Sequence, residues 1–360
     1  MSSAAEHRPW YRSLRFWISV LTFVLVGLVI AGAWEHVRAA FESLTTVNLG
    51  VLALLIPVQL ASFWFTGEVL FSYLRGRGEL HGMHPAAAMR MSLEFNFANH
   101  MLPSGGAAGI AYTNWKLSTL GVPASRTTLA QLTRFALTFV SFVLMLAAAA
   151  LWLLLTHRGT LLVMVTMAIV GTLALVVTVG GAIIFRRRRL LHRIAGFIFS
   201  VAYRVLSWFG RQDKLNVAHF VRFVDHMYRE FAEVTAKPRA LLVPFLLSFA
   251  VNALDASLFL VALASFGYQA DFALVFVAYG AATVASMVIV TPNGLGAYEV
   301  VMVSVLAAGG VPGATAIAAI ALSRVILLLG TILFGYGFYQ HSVIKSGSPK
   351  LTELPEQQDT

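Results

Sequence analysis

One short motif occurs twice in this chain, at a constant spacing, inside a very hydrophobic sequence. Residues 102–108 read LPSGGAA and residues 291–297 read TPNGLGA, and each proline is followed eighteen residues later by the glycine of a Gly-Val-Pro triplet, at 121–123 and at 310–312. The offset is 189 residues for both motifs. An apolar segment broken by Pro and Gly at corresponding places of two halves is typical of the binding site of a membrane transporter.

The composition predicts an all-α polytopic membrane protein. Of the 360 residues, 58% are hydrophobic and only 12% are charged, whereas soluble domains carry about 25% charged residues. A run of roughly 20 apolar residues is long enough to cross a bilayer. The runs that approach or exceed this length are 16–34, 49–74, 127–155, 160–185, 240–266 and 313–340. The first run is longer than a signal-peptide core, so we interpret it as a retained helix.

The net charge of +10 is explained by the membrane rather than by nucleic acid. Cytoplasmic loops of membrane proteins are enriched in Lys and Arg, and basic loops contact anionic lipid headgroups. We therefore expect membrane lipids and no nucleic acid as partners. The chain has no cysteine, which excludes disulfides and thiolate metal sites, and we expect neither a metal nor a cofactor.

Two broken segments, 86–122 and 272–310, decide the topology. The basic clusters 75–77 and 186–189 both belong on the cytoplasmic side. Both clusters can lie on that side only if the first broken segment enters and leaves the membrane from the cytoplasm. The C-terminus then returns to the cytoplasm if the second broken segment enters and leaves from outside. The arrangement leaves all but four of the 26 Lys and Arg residues in the cytoplasm. Two additional full spans are the alternative.

The sequence therefore predicts a single transmembrane domain over residues 1–344, in the cytoplasmic (inner) membrane with both termini cytoplasmic. It contains two helix–re-entrant hairpin–helix units, 49–155 and 240–340, which we interpret as an inverted repeat, plus extra transmembrane helices. The loop 186–239 is basic and contains an amphipathic helix that either lies in the interface or packs against the bundle. The tail 345–360 is expected to be disordered.

Ionisable residues inside membrane spans are energetically costly and usually functional. In this chain they are Glu68, Glu94, His100, Arg134, Asp255, Glu299 and Arg324. Each half supplies one arginine in its last helix, at 134 and 324, and the guanidinium fork matches a phosphate. Two interpretations stay open for these arginines: contact with a lipid phosphate, or pairing with an acid, such as Arg324 with Glu299.

The other ionisable residues are candidates for proton or ion coupling, namely Glu68, Glu94, His100 and Asp255. Glu299 is either a plain helix cap or a functional acid.

The hairpin turns let the backbone approach a ligand closely, and each precedes a short helix whose N–H groups favour an anion. The turn residues that we assign to substrate binding are Pro103, Gly105, Gly106, Pro292, Asn293, Gly294 and Gly296, with Asn99 as a polar liner. Asn252 and Asp255 are i, i+3 neighbours, which raises the chance that both face the cavity.

These motifs resemble the transmembrane family of lysylphosphatidylglycerol synthetases, whose best-known member is the flippase-like domain of the multiple peptide resistance factor. The resemblance covers about 15–340, and its most specific part is Pro-x-Gly-Leu-Gly-x-x-Glu at 292–299, followed by Gly-Val-Pro and Arg324. The first copy matches at Asn99-x-x-Leu-Pro and at Arg134. It departs from the family at 107–109, where the family often has Gly-Glu and this chain has Ala-Ala-Gly; Glu94 is a candidate substitute for that acid.

The resemblance implies a lipid flippase or transporter that moves an aminoacyl-phospholipid, a polyprenyl-linked lipid or a hopanoid lipid across the cytoplasmic membrane, and not an enzyme. Two alternatives stay open. One is a polyprenyl-dependent membrane glycosyltransferase, and the other is a non-transporting partner that recruits a lipid-biosynthetic enzyme through the basic loop.

Overall fold

The computed structural model describes residues 47–80, 82–101, 107–157, 159–208, 217–236, 238–288 and 296–346. Within these ranges the chain forms helices and no strands. The helices are α1 (Leu49–Leu52), α2 (Leu55–Gly76), α3 (Pro85–Met101), α4 (Ala107–Ser118), α5 (Ala124–Leu155), α6 (Leu161–Arg186), α7 (Arg188–Trp208), α8 (Val217–Ala236), α9 (Leu242–Ser265), α10 (Phe272–Val288), α11 (Ala297–Ala308) and α12 (Gly313–Ser346).

The predicted all-α polytopic membrane fold is confirmed. Among the described residues, five helical stretches are long and apolar enough to cross a membrane: Leu49–Gly76, Ala124–Leu155, Leu161–Gly181, Arg239–Ser265 and Gly313–Ser342. Each of them overlaps one of the predicted runs. The sixth predicted run, 16–34, lies outside the described residues.

Each broken segment becomes a pair of helices that are too short to be counted among these spans. The first contains α3 and α4, of 17 and 12 residues. The second contains α10 and α11, which also have 17 and 12 residues. The two units thus have corresponding helices of equal length on either side of the turns.

The Gly-Val-Pro triplets end α4 and α11 in the same way. Gly121 and Gly310 have φ angles of 83° and 95°, which is the left-handed region that glycine adopts without a steric penalty. The valine after each glycine donates its N–H to the carbonyl five residues earlier, at 3.1 and 3.0 Å. This is the bond that defines a Schellman cap. The proline then ends the turn and the next long helix starts.

A second pair of glycines at the same offset ends α2 and α9, although the sequence analysis did not identify it. Gly78 and Gly267 have φ angles of 84° and 77°. The residues that follow them donate to carbonyls five positions earlier, Glu79 to Leu74 at 3.0 Å and Tyr268 to Leu263 at 3.1 Å. The repeated spacing therefore extends to the first helix of each unit.

The two first helices, α2 and α9, pack against each other and run in opposite directions. The N–H of Asn48, just before α1, donates to the carbonyl of Ser265 at the end of α9 at 2.8 Å. Each hairpin also contacts the last long helix of the other unit, since α3 packs on α12 and α10 packs on α5. These reciprocal contacts agree with an inverted repeat, which stays a prediction.

The predicted amphipathic helix is present as α8, and its apolar stripe packs on the bundle. Val224 is 2% exposed and lies in the same buried cluster as Leu191 and Ala195 of α7, and α8 contacts α5. The helix α7 was not predicted. The predicted tail starts as helix, because α12 continues to Ser346, and the rest of the tail lies outside the described residues.

A polar contact joins α7 to α8. Asp225 accepts hydrogen bonds from Arg188 at 2.8 and 3.2 Å and lies 2.9 Å from Nε2 of His192. The hydrogen bonds from Arg188, and to a smaller extent the one from His192, lower the pKa of Asp225 below its ordinary value.

Candidate functional site

A fully buried carboxylate organises the first hairpin. Glu94 has no exposed surface. Its Oε1 accepts from Arg90 Nε at 2.8 Å and from Ser342 Oγ at 2.7 Å, and its Oε2 accepts from Tyr112 at 2.6 Å. Lys116 Nζ lies 3.7 Å from Oε2 and donates to Ser342 Oγ at 2.9 Å. We call these five residues the Glu94 cluster, and its hydrogen bonds compensate the burial of the charge.

Simple helix geometry builds this cluster. Arg90 and Glu94 are i, i+4 neighbours on α3, and Tyr112 and Lys116 are i, i+4 neighbours on α4, so each pair lies on one helix face. Because α3 packs on both α4 and α12, the faces meet Ser342 near the end of α12. The cluster therefore needs the whole hairpin and the last helix of the chain.

A cavity of about 560 Å³ opens beside the Glu94 cluster. It is lined by the start of α3, the end of α4 and the end of α12, and we call it the basic cavity. Its ionisable lining residues are His84, Arg90, Glu94, Lys116 and His341. Residues from both ends of the first broken segment, Ala87 and Leu120, line this one cavity, which supports a path that enters and leaves at the same end of the bundle.

The second hairpin contains an ion pair at the start of α11. Arg324 Nε donates to Glu299 Oε1 at 2.8 Å, and the guanidinium lies 4.5 Å from the centre of the Tyr298 ring. Glu299 Oε2 accepts the N–H of Gly296 at 2.7 Å, which makes it the cap of α11. The pairing interpretation of Arg324 with Glu299 thus describes the contact that the structure shows. Gly296, a predicted turn residue, has a φ of 91°.

Asp255 connects the two halves near this ion pair. It accepts a hydrogen bond from the Ser62 hydroxyl of α2 and another from Tyr279 of α10 at 3.2 Å. Phe259 lies between the rings of Tyr279 and Tyr298, with centroid distances of 6.2 and 5.9 Å. A polar and aromatic path therefore leads from Asp255 to the Arg324 ion pair.

Arg134 has a different environment from Arg324. Its guanidinium lies 4.6 Å from the centre of the Phe135 ring and 5.5 Å from that of Phe95 on α3. Its Nε is buried and has no hydrogen-bond partner among the residues that the structure describes. The two arginines that the sequence treats as equivalent thus differ, because one is paired with a carboxylate and the other is held by aromatic rings.

Two further predicted residues have local partners. Glu68 pairs with Arg75, which lies about two helical turns further along α2. Asn99 packs across the hairpin on α4, since a Cβ on Gly109 would lie 2.7 Å from Asn99 Oδ1. His100 belongs to α3. The other predicted turn residues lie outside the described part of the chain, namely Pro103, Gly105, Gly106, Pro292, Asn293 and Gly294.

Asn252 and Asp255 do not face the same neighbours. Asn252 donates to Ser141 Oγ at 2.7 Å and to the carbonyl of Thr138 at 3.0 Å, both on α5. Asp255 instead contacts α2 and α10, as described above. Their i, i+3 spacing places them on adjacent parts of α9 and not at one shared site.

Sequence reasoning missed the partners of Glu94. The spacing of Arg90 with Glu94, and of Tyr112 with Lys116, was a usable signal because i, i+4 pairs meet on a helix. No local pattern could identify Ser342, which lies 248 residues from Glu94 along the chain.

Comparison with known proteins agrees with the motif-based resemblance. The family model described as the lysylphosphatidylglycerol synthase TM region matches residues 16–335. No curated protein and no solved structure matches the chain significantly. The family suggests a membrane function related to lipids, and the five apolar helices are those of a multi-pass membrane protein. The chain therefore belongs to the lysylphosphatidylglycerol synthase transmembrane-region family.

Proposed function

We propose that this protein is a lipid translocase of the cytoplasmic membrane, which moves a phospholipid or another lipid with a polar headgroup between leaflets without changing it covalently. The observation that carries the proposal is the position of the two arginines. Arg134 and Arg324 belong to long apolar helices of different halves, and each contacts a short helix of the hairpin in its own half, Phe95 of α3 and Glu299 of α11.

The cost of these charges supports a functional role. A charged side chain at the centre of a membrane helix costs about 2.5–3.5 kcal/mol on insertion scales, and such residues mark substrate or ion paths. Arginine presents five N–H donors in a planar fork that fits a phosphate. With an Nε that has no partner among the described residues, Arg134 has capacity to bind an anion.

Arg324 would reach the same ligand by exchanging partners. Its Nε is bonded to Glu299, and the carboxylate also caps α11 through Gly296. A lipid phosphate would compete with Glu299 for the guanidinium, and proton uptake by Glu299 would favour the phosphate. In this scheme Asp255, Glu68 and Glu94 are the further acids through which an ion gradient could act, and a passive exchange of lipids is the alternative.

Lipid exchange in proteoliposomes tests the proposal directly. Fluorescent phosphatidylglycerol in the inner leaflet becomes accessible to a membrane-impermeant reductant only after it crosses the bilayer. We expect the wild-type protein to accelerate this step over protein-free liposomes. The double variant Arg324→Ala with Glu299→Gln should return the rate towards the protein-free value, because it removes the guanidinium and the acid together.

Arg193→Ala is the matched control, since it removes an exposed arginine of α7 without touching either hairpin. It should exchange lipid like the wild type. Unchanged exchange in the double variant would overturn the assignment of the site, and no acceleration by the wild type would overturn the function.

A further inference from the structure

We infer that the seam between α3 and α12 is a binding site for an anionic, phosphate-bearing lipid, with the headgroup in the basic cavity and an acyl chain in an adjoining apolar groove. The inference rests on the proposed function and names a substrate class and a loading site for it. The seam is distinct from the Arg324 ion pair, since it lies where the C-terminal part of α12 meets the first hairpin, whereas Arg324 of α12 pairs with Glu299 of the second hairpin.

The basic cavity carries an excess of positive charge. Of its described lining residues, Arg90 and Lys116 are cations and Glu94 is the one carboxylate. Both oxygens of Glu94 are already bonded within its cluster. The side chains of Arg90 and Lys116 are still 36% and 19% exposed, so both reach the cavity. A partly buried site with this charge favours an anion.

Two histidines strengthen this preference. His84 at the start of α3 and His341 near the end of α12 line the same cavity. Imidazoles add donors in their neutral form and positive charge when protonated. The cavity therefore offers donors from three helices to a ligand rich in acceptors, which is the chemistry of a phosphate.

An apolar groove begins where the basic cavity ends. A second cavity of about 420 Å³ is lined by Leu333, Phe334, Gly337 and Phe338 of α12, together with Arg90 and His341. Leu333 is 76% exposed and Phe338 is 42% exposed, as expected for a surface that faces acyl chains. A Cβ on Gly337 would meet no atom within 4 Å, so the glycine leaves room in the groove.

The two cavities share Arg90 and His341, and this junction identifies the occupant. A free phosphate needs only the basic cavity. A lipid needs a charged pocket joined to an apolar channel, with the phosphate at the junction. The guanidinium of Arg90 lies 5.3 Å from the centre of the Phe338 ring, so one residue contacts both compartments. We therefore commit to a lipid.

The other end of the bundle has different chemistry. At the entrance of the second hairpin, Trp152 Nε1 donates to Asp271 Oδ2 at 3.0 Å. An acidic residue at this position disfavours an anion, whereas Arg90 and Lys116 favour one. On the predicted topology the basic cavity opens to the cytoplasm, so the seam would load an anionic lipid from the cytoplasmic leaflet.

Calorimetric titration of the purified full-length protein in a non-ionic detergent tests this inference with three probes. These are dioctanoyl phosphatidylglycerol, dioctanoyl phosphatidylcholine and inorganic phosphate. The anionic lipid should bind more tightly than the zwitterionic lipid, and both lipids should bind more tightly than phosphate. Equal affinity for phosphate and phosphatidylglycerol would reduce the site to a phosphate site and overturn the lipid assignment.

Two variants that change the charge in opposite directions separate binding from folding. Lys116→Gln should weaken phosphatidylglycerol binding about tenfold, as expected for one lost charged hydrogen bond. Glu94→Gln should tighten it, because the cations then lack an internal competitor. Damage to the fold would weaken binding by both variants, whereas the charge argument predicts opposite changes. Weaker binding by both variants, with circular dichroism like that of the wild type, would overturn the electrostatic argument.

A third variant tests the groove. Gly337→Leu should weaken phosphatidylglycerol binding and leave phosphate binding unchanged, since the new side chain fills only the apolar compartment. Gly180→Leu is its control, because Gly180 of α6 also has no atom within 4 Å of a Cβ and lies away from the seam. If Gly337→Leu and Lys116→Gln both bound phosphatidylglycerol as tightly as the wild type, the assignment of the seam as the binding site would be wrong.

Lipid exchange measured on the same preparations distinguishes this inference from the proposed function. Exchange by the wild type without binding at the seam refutes the loading site and leaves the translocase intact. Binding at the seam without exchange refutes the translocase and leaves the lipid site intact.

Discussion

The first hairpin holds its carboxylate, Glu94, in the middle of α3, whereas the second holds Glu299 in the first turn of α11. Glu94 is fully buried among two cations and two hydroxyls. Glu299 has one cation and a backbone N–H. The two hairpins thus have helices of equal lengths but carry their carboxylates in different helices and in different polar surroundings, so the hairpins are not chemically equivalent.

The largest expected loss of stability comes from replacing the two carboxylates, Glu94 and Glu299. Glu94→Ala should lower the free energy of unfolding by about 3 kcal/mol, because it leaves Arg90 and Lys116 without their buried partner. Glu299→Ala should cost about 2 kcal/mol, because it removes the capping bond to Gly296 and also the carboxylate that pairs with Arg324. Unfolding by a denaturing detergent, followed by circular dichroism, measures both. Equal losses would show that the hairpins do not differ in this way.

The two arginines sharpen the same comparison. Arg324→Met should cost about 2 kcal/mol, since it leaves the Glu299 carboxylate without its cation. Arg134→Met should change the stability by less than about 1 kcal/mol, because a lost cation–π contact is offset by the removal of a buried charge. The same unfolding measurement applies. A larger loss for Arg134→Met would reveal a partner that its aromatic contacts do not account for.

The two Gly-Val-Pro triplets test whether the caps of α4 and α11 contribute equally to stability. Gly121→Ala and Gly310→Ala should each cost about 1 kcal/mol, because alanine is strained at these positive φ angles. Gly313→Ala is the control, with open space around its Cβ and no positive φ, and should be neutral or slightly stabilising. Thermal unfolding in detergent gives the three values. Very different costs for the two caps would contradict their equivalence.

The smallest effect concerns Asp225, which lies in neither hairpin. Its lowered pKa means that its contact with Arg188 stabilises the α7–α8 pair at neutral pH. This contribution is lost as the pH falls through the lowered pKa. Asp225→Asn should reduce the hydrogen-exchange protection of α7 less than about fivefold at neutral pH. At a pH below that pKa the variant and the wild type should exchange alike. A difference that persists there would have another cause.

The helices of both hairpins could be predicted from the sequence, but their polar contacts could not. Helix positions follow from apolar runs and from Pro and Gly breaks, which are local signals. The partner of Arg324 was one of two interpretations because Glu299 sits beside the second motif. The partners of Glu94 were missed because Ser342 comes to it only through the packing of α12 on α3.

The helix α7 was missed for a different reason. The basic cluster 186–189 indicates a cytoplasmic position but no helix. Leu191 and Ala195, four residues apart and both buried, have the spacing of one helix face, but two such positions are too few to predict a helix. Local patterns thus locate helices, and tertiary packing decides which of their polar residues meet.

The 12-residue length of α4 and α11 bears on how far a lipid headgroup would have to travel through the membrane. A helix of this length is about 18 Å long, against roughly 30 Å of hydrocarbon. Neither is long enough to cross the bilayer alone. On the predicted re-entrant topology each would therefore start at an intermediate depth. A headgroup moved by the proposed translocase would then cross a barrier thinner than the membrane, and the protein rather than the surrounding acyl chains would determine its thickness.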